Sequence, residues 1–137
     1  MKSYFLKAAL FAAYSMICAC SQGSLSKEES RIINGQGEVM RVLTITSPED
    51  LEVLRRPCYE LSDKELRSKD FETLARKMVA TVTSPEQDGV GIAGPQVGIS
   101  RRVIAVQRFD KEGEPFEVYP NVRIIACRGE KVPGPEG

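Results

Sequence analysis

Histidine is absent from the 137 residues. That one zero removes a Ser-His-Asp triad, an imidazole general base and any zinc site built on imidazole. An excess of basic charge is also missing, since 19 Lys and Arg face 19 Asp and Glu. Without a basic patch there is no electrostatic footprint for nucleic acid, and none is read as a partner. The four cysteines do not fall at metal-motif spacings. No apolar run is long enough for a permanent membrane span.

The beginning of the chain is patterned in a different way. Lys2 and Lys7 precede the apolar run Ala8 to Ala13, which continues through Ile17 to Cys18-Ala19-Cys20. A basic start, a short apolar stretch and small closing residues describe a secretory signal over residues 1–19. Ile17-Cys18-Ala19-Cys20 resembles a bacterial lipobox, with cleavage before Cys20 and lipid on its thiol; polar SQGS follows directly. The expectation is an exported protein tethered to a membrane surface through one lipidated cysteine. An ordinary signal peptide with incidental cysteines is the alternative. Removal of the signal leaves 17 basic against 19 acidic residues, a net charge of −2. Cys58 and Cys127 then remain besides Cys20, and outside the cytoplasm they are free to pair or not.

Residues 20–38 are polar and glycine-dotted and read as a flexible tether; residues 39–137 read as the domain. Val39 to Ile45 suggests a strand or an extended arm. Pro48 and Pro57 punctuate a turn region. Ser62-Asp63-Lys64-Glu65 is a capping box that opens a helix. From Phe71, the apolar residues Leu74, Ala75, Met78, Val79 and Val82 follow at spacings of 3, 4, 7, 8 and 11, one face of that helix. Lys69, Asp70, Glu72, Arg76 and Lys77 are placed mostly on the opposite face. Arg102 to Gln107 reads as a strand by its β-branched content. Asp110 to Glu114 reads as a hairpin loop. Phe116 to Ile125 reads as a further strand, in which Pro120 marks an edge or a bulge.

Between the helix and the first of these strands lies GVGIAGPQVG, Gly89 to Gly98. Glycine lets a second chain approach the backbone closely. Val90, Ile92 and Ala93 alternate as in an extended strand, and Gln96 supplies a neutral amide. Such a stretch can add an extended peptide as a strand. It can also present a donor to an oxyanion. A glycine-rich turn without function is the plain alternative. The glycine spacing is wrong for a dinucleotide fingerprint.

GVGIAGPQVG closely resembles the first signature of the peptide deformylase family. Val42-Leu43-Thr44 with Leu54-Arg55-Arg56-Pro57 resembles the family's amino-terminal arm, and the amphipathic helix its first helix. Arg101 to Val106 and Glu117 to Ile125 resemble the strands that follow, although Tyr119 stands where the family has asparagine before the proline. Gly134 to Gly137 resembles the lead-in to the second signature.

The resemblance implies an α+β deformylase-like fold of an amino-terminal helix plus antiparallel strands. It implies removal of the formyl group from N-formylmethionyl peptides by a water activated on Fe2+ or Zn2+. It gives Gln96 the oxyanion and Gly89, Val90 and Gly91 the substrate, with Val90 at the methionine pocket. The ligand cysteine and the H-E-x-x-H helix are not in these 137 residues. As written the chain reads as an incomplete domain that lacks the central metal-binding helix, with no metal ligand, no cofactor of its own and no deformylase activity. Its alternative is a non-catalytic surface lipoprotein module that binds extended formyl-methionyl peptides.

Overall fold

The computed structural model describes residues 25–129. The signal segment, Cys20 and the Gly134 to Gly137 lead-in lie outside them. Helix α1 spans Lys27–Ile33, α2 Pro48–Leu54, α3 Asp63–Leu66 and α4 Lys69–Val82; strand β1 spans Gly91–Ala93, β2 Val103–Gln107 and β3 Phe116–Pro120. The strands form one antiparallel sheet in the order β1-β2-β3, with Gly91 opposite Val106 and Val103 opposite Pro120. The α+β class that the resemblance implies is the class observed.

Helix α4 lies against one face of this sheet. Its residues Leu74, Met78 and Val82 are buried and meet Ile92, Val103 and Ala105 of the strands in one core. Each of these side chains other than Ala105 contributes about 1.5–3 kcal/mol by leaving water. The strands present alternate residues to the two faces. Ile104 and Val106, on the face away from α4, are only half-buried.

The expected single helix from residue 63 to 82 is two helices. Ser68 breaks it: its hydroxyl donates to Glu65 O at 2.6 Å and accepts from Phe71 N at 3.2 Å, which caps α4 anew. Lys77 is also misplaced by the helical wheel, since it is 5% exposed and its Nζ donates to Gly35 O at 2.6 Å. The turn region after Pro48 holds α2, with Ser47 as cap and Pro48 in its first turn. Residues 40–44 form no strand. They are an extended arm, held where Thr81 Oγ1 accepts from Met40 N and Gln96 O accepts from Leu43 N, both at 2.8 Å. β3 stops at Pro120 rather than Ile125, because Asn121 turns the chain with φ 54°. The Asn121 side chain then pairs with the Leu61 backbone, accepting from its N at 2.7 Å and donating to its O at 2.9 Å.

The larger correction concerns the segment read as a tether. Its described part contains α1, whose Ile33 is fully buried in the core. Ser26 and Glu29 form a capping box there, with Ser26 N donating to Glu29 Oε2 at 2.8 Å and Glu29 N to Ser26 Oγ at 3.0 Å. Ser30 and Asn34 donate to the Asp70 carboxylate at 2.7 and 3.0 Å, which ties α1 to α4. Arg101 completes the attachment. Its Nε and Nη2 donate to Glu29 at 2.9 and 3.1 Å, and its Nη1 lies 2.9 Å from Glu65 Oε1. The three side chains are 12, 13 and 4% exposed for Arg101, Glu29 and Glu65.

Removal of the cation would leave two buried carboxylates without it. Arg101→Leu is therefore expected to lower the unfolding free energy by about 3–5 kcal/mol, measured by denaturant titration. Acid acts on the same contacts. Burial pushes the Glu29 carboxyl up, but the Arg101 guanidinium and the Ser26 N–H outweigh it, so the net shift is downward. Asp50 is held low by the Thr44 N–H and by Arg41, and Asp70 by Asn34 and Ser30. A carboxylate whose folded pKa is depressed stabilises the fold fully above its unfolded value, about 4, and loses that contribution as pH falls toward the folded value. Thermal midpoints should hold from neutral pH down to about pH 5 and then fall below about pH 4, with α1 amides losing exchange protection first.

Candidate functional site

The site begins where α4 ends. Gly89 N donates to Val82 O at 2.9 Å, which swings the chain from helix into β1. Val90 O accepts from Gln107 N at 2.8 Å, so Val90 directs its carbonyl toward β2. Antiparallel strands alternate the direction of their polar groups. Gly91 and Ala93 therefore turn theirs away from β2, toward the outer edge of β1. Among the described residues no strand pairs with that edge.

Gln96 meets this edge. Gly94-Pro95-Gln96-Val97 form one 3-10 turn, closed by Gly98 in the left-handed region at φ 80°. The turn brings the side chain back so that Gln96 Oε1 accepts from Ala93 N at 2.8 Å. The amide oxygen is thereby occupied. Its Nε2 has no acceptor among the described residues and the side chain is exposed. Gly94 makes the turn possible. A Cβ there would stand 2.8 Å from Arg101 O and from Ile99 O, closer than any side chain tolerates.

Gly91 is a different case. A Cβ on Gly91 would meet Ala105 O and Val106 Cγ1 at 3.4 Å, an ordinary contact, and its φ is not positive. Packing does not require glycine here. The exposed edge it leaves bare is open to the backbone of another chain. Val90, just before it, is 60% exposed, an apolar surface beside the bare edge.

Gly91, Val90 and Gln96 are thus brought together at one edge. Gly89 is less available than the sequence suggests, because its N–H is committed to Val82 O. Cys20 lies outside the described residues. Cys58 and Cys127 are free thiols. Burial pushes the Cys58 thiol up, with Arg102 opposing, so it is not poised as a thiolate. Among the described residues no group of three His, Cys, Asp or Glu could hold a metal ion. Sequence reasoning missed the Gln96–Ala93 bond, although a glutamine three residues after the first strand-ending residue is a capping signal. It also missed Arg101, whose partner Glu29 is 72 residues away and leaves no local trace.

The Polypeptide deformylase family profile matches residues 39–137. This chain belongs to that family. The peptide deformylase of Leptospira biflexa is 36% identical over 84 residues, which are 61% of this chain and 43% of the relative. Peptide deformylase 1 of Clostridium perfringens is 37% identical over 82 residues, 60% of this chain and 51% of the relative. The chain spans about half the length of these curated relatives. Among solved structures, the K2U-bound class I type b peptide deformylase from Acinetobacter baumannii superposes with a TM-score of 0.58 at 34% identity, covering 72% of this chain and 60% of that one. A Met-Ala-Ser-bound structure of the Acinetobacter baumannii class I type b deformylase gives 0.52 at 34% identity, covering 64% and 56%. The deformylase match begins at residue 39, so α1 precedes it.

The two halves of the Gln96 amide have separable jobs. Gln96→Ala leaves Ala93 N–H without its acceptor and is expected to cost about 1 kcal/mol, with faster hydrogen exchange at Ala93. Gln96→Glu keeps an acceptor for Ala93 and removes the exposed donor. Its denaturation midpoint should match that of the parent protein.

Proposed function

We propose that this chain binds the amino-terminal end of extended N-formylmethionyl peptides along the outer edge of β1, and that the 137-residue polypeptide by itself does not hydrolyse them. The observation that carries the reading is the Gln96 Oε1 to Ala93 N bond of 2.8 Å. It sets the free Gln96 Nε2 on the same edge as the outward N–H and C=O of Gly91. A peptide strand added there pairs with Gly91, its methionine side chain rests on Val90, and its formyl oxygen accepts from Gln96 Nε2. Peptide recognition by a family relative supports this, since one solved deformylase structure holds Met-Ala-Ser.

The family's chemistry depends on a metal, Fe2+ or Zn2+. The donor set does not fit it: the sequence holds no histidine, and residues 25–129 offer no cluster of three donors. No hydrolytic step is therefore assigned to this polypeptide. The lipobox-like Ile17 to Cys20 adds an exported, lipid-anchored location to the proposal, which makes the chain a surface module for formylated peptides.

Heteronuclear NMR with formyl-Met-Ala-Ser tests both halves. Saturable shifts should centre on the Val90, Gly91 and Gln96 signals, and unformylated Met-Ala-Ser should bind about tenfold more weakly, the size of one good hydrogen bond. Gln96→Glu should erase that preference. Unmoved β1 signals would overturn the binding site. Formate release on addition of Fe2+ or Zn2+ to the purified chain would overturn the silence of its chemistry.

A further inference from the structure

A cavity of about 260 Å3 opens between the end of α1, the arm and α4. Ile32, Val39, Leu43 and Val97 give it an apolar wall, while the charged residues on it are Arg41 and Lys77; no carboxylate lines it. Ile32 comes from α1, which precedes the deformylase match. The cavity therefore belongs to the way this chain folds its own leading helix onto the domain.

Lys77 is the unusual feature. It is 5% exposed, and its Nζ donates to one acceptor, Gly35 O, at 2.6 Å. An ammonium carries three donors. Among the described residues no carboxylate comes within ion-pair distance of Nζ. Arg41 is in a different state, since Asp50 accepts from its Nη2 at 2.8 and 2.9 Å and its side chain is largely exposed. A buried charge without a counter-ion is costly unless a partner supplies one. The Gly35 carbonyl is a dipole and leaves the full charge standing.

We propose that this cavity binds a small monocarboxylate with a short apolar tail. The carboxylate neutralises Lys77, and the tail lies against Ile32, Val39, Leu43 and Val97. Size sets the class. The cavity is smaller than the roughly 300–1,000 Å3 typical of sites for drug-sized ligands. A cation over an apolar wall selects an acid over an alcohol or an amine with the same tail.

Isothermal titration of the 137-residue chain with hexanoate tests the proposal, with 1-hexanol and hexylamine as probes that share the tail. One saturable site for hexanoate is expected, with both other probes at least about tenfold weaker. Lys77→Met should weaken hexanoate by about tenfold or more. Ile32→Trp fills the mouth of the cavity while leaving the Lys77 to Gly35 bond in place, and should abolish binding. Where Lys77→Met fails to fold, by circular dichroism, Ile32→Trp and the probe comparison decide. Absence of a saturable site, equal binding of hexanoate and hexanol, or full hexanoate binding by Ile32→Trp would each overturn the proposal.

Discussion

One buried guanidinium, that of Arg101, joins the starts of two amino-terminal helices to the entry of the sheet, beside the Ser30 and Asn34 bonds to Asp70. Helices α1 and α3 each begin with a capping box, and the glutamate of each box also turns toward Arg101. Glu29 serves Ser26 N and Arg101 together, and Glu65 serves Ser62 N at 2.6 Å and Arg101 together. The start of two helices and the entry to β2 thus meet at one buried charge. Arg101 also donates to Glu60 O at 3.2 Å, and Tyr59 bridges to it in parallel. Such a network is expensive to break from either side, because any missing partner leaves a buried charge behind.

The candidate site depends on that junction through the backbone. Residues 94–101 run from the 3-10 turn to Arg101, and Gly94 packs so closely under Ile99 O and Arg101 O that the loop has one way to close. The closed loop presents Gln96 to Ala93, and Leu43 N holds the Gln96 carbonyl from the arm. The bare strand edge and the amide donor are thus held by hydrogen bonds within the domain itself. Rigid donors lose less entropy on binding than mobile ones.

Much of this was legible from local pattern. The 3.6-residue spacing of Leu74, Met78 and Val82 located the core face of α4. The β-branched run from Val103 located β2, and GVGIAGPQVG carried the resemblance to the family. The errors were local as well. The capping signature that marked Ser62 to Glu65 also stands at Ser26 to Glu29, but glycines and charge made that region read as a tether. The single helix expected after Ser62 passed over Ser68, whose hydroxyl caps α4. Lys77 looked solvent-facing because a helical wheel does not know what packs beside it.

By itself, then, the amino-acid sequence determined the helices and strands whose signals lie within a few residues of each other. It also singled out Gly89 to Gly98 as the candidate stretch, from its glycines and the amide of Gln96. The lack of histidine leaves no imidazole for a metal site or a general base within these 137 residues. Only the tertiary structure decided that Glu29 and Glu65 share Arg101, that the Gln96 oxygen is used and its nitrogen left free, and that Lys77 is buried under α1. The reason is one of range: caps and periodicities act over a single turn of chain, whereas a buried charge finds its partner only when distant segments have been packed together.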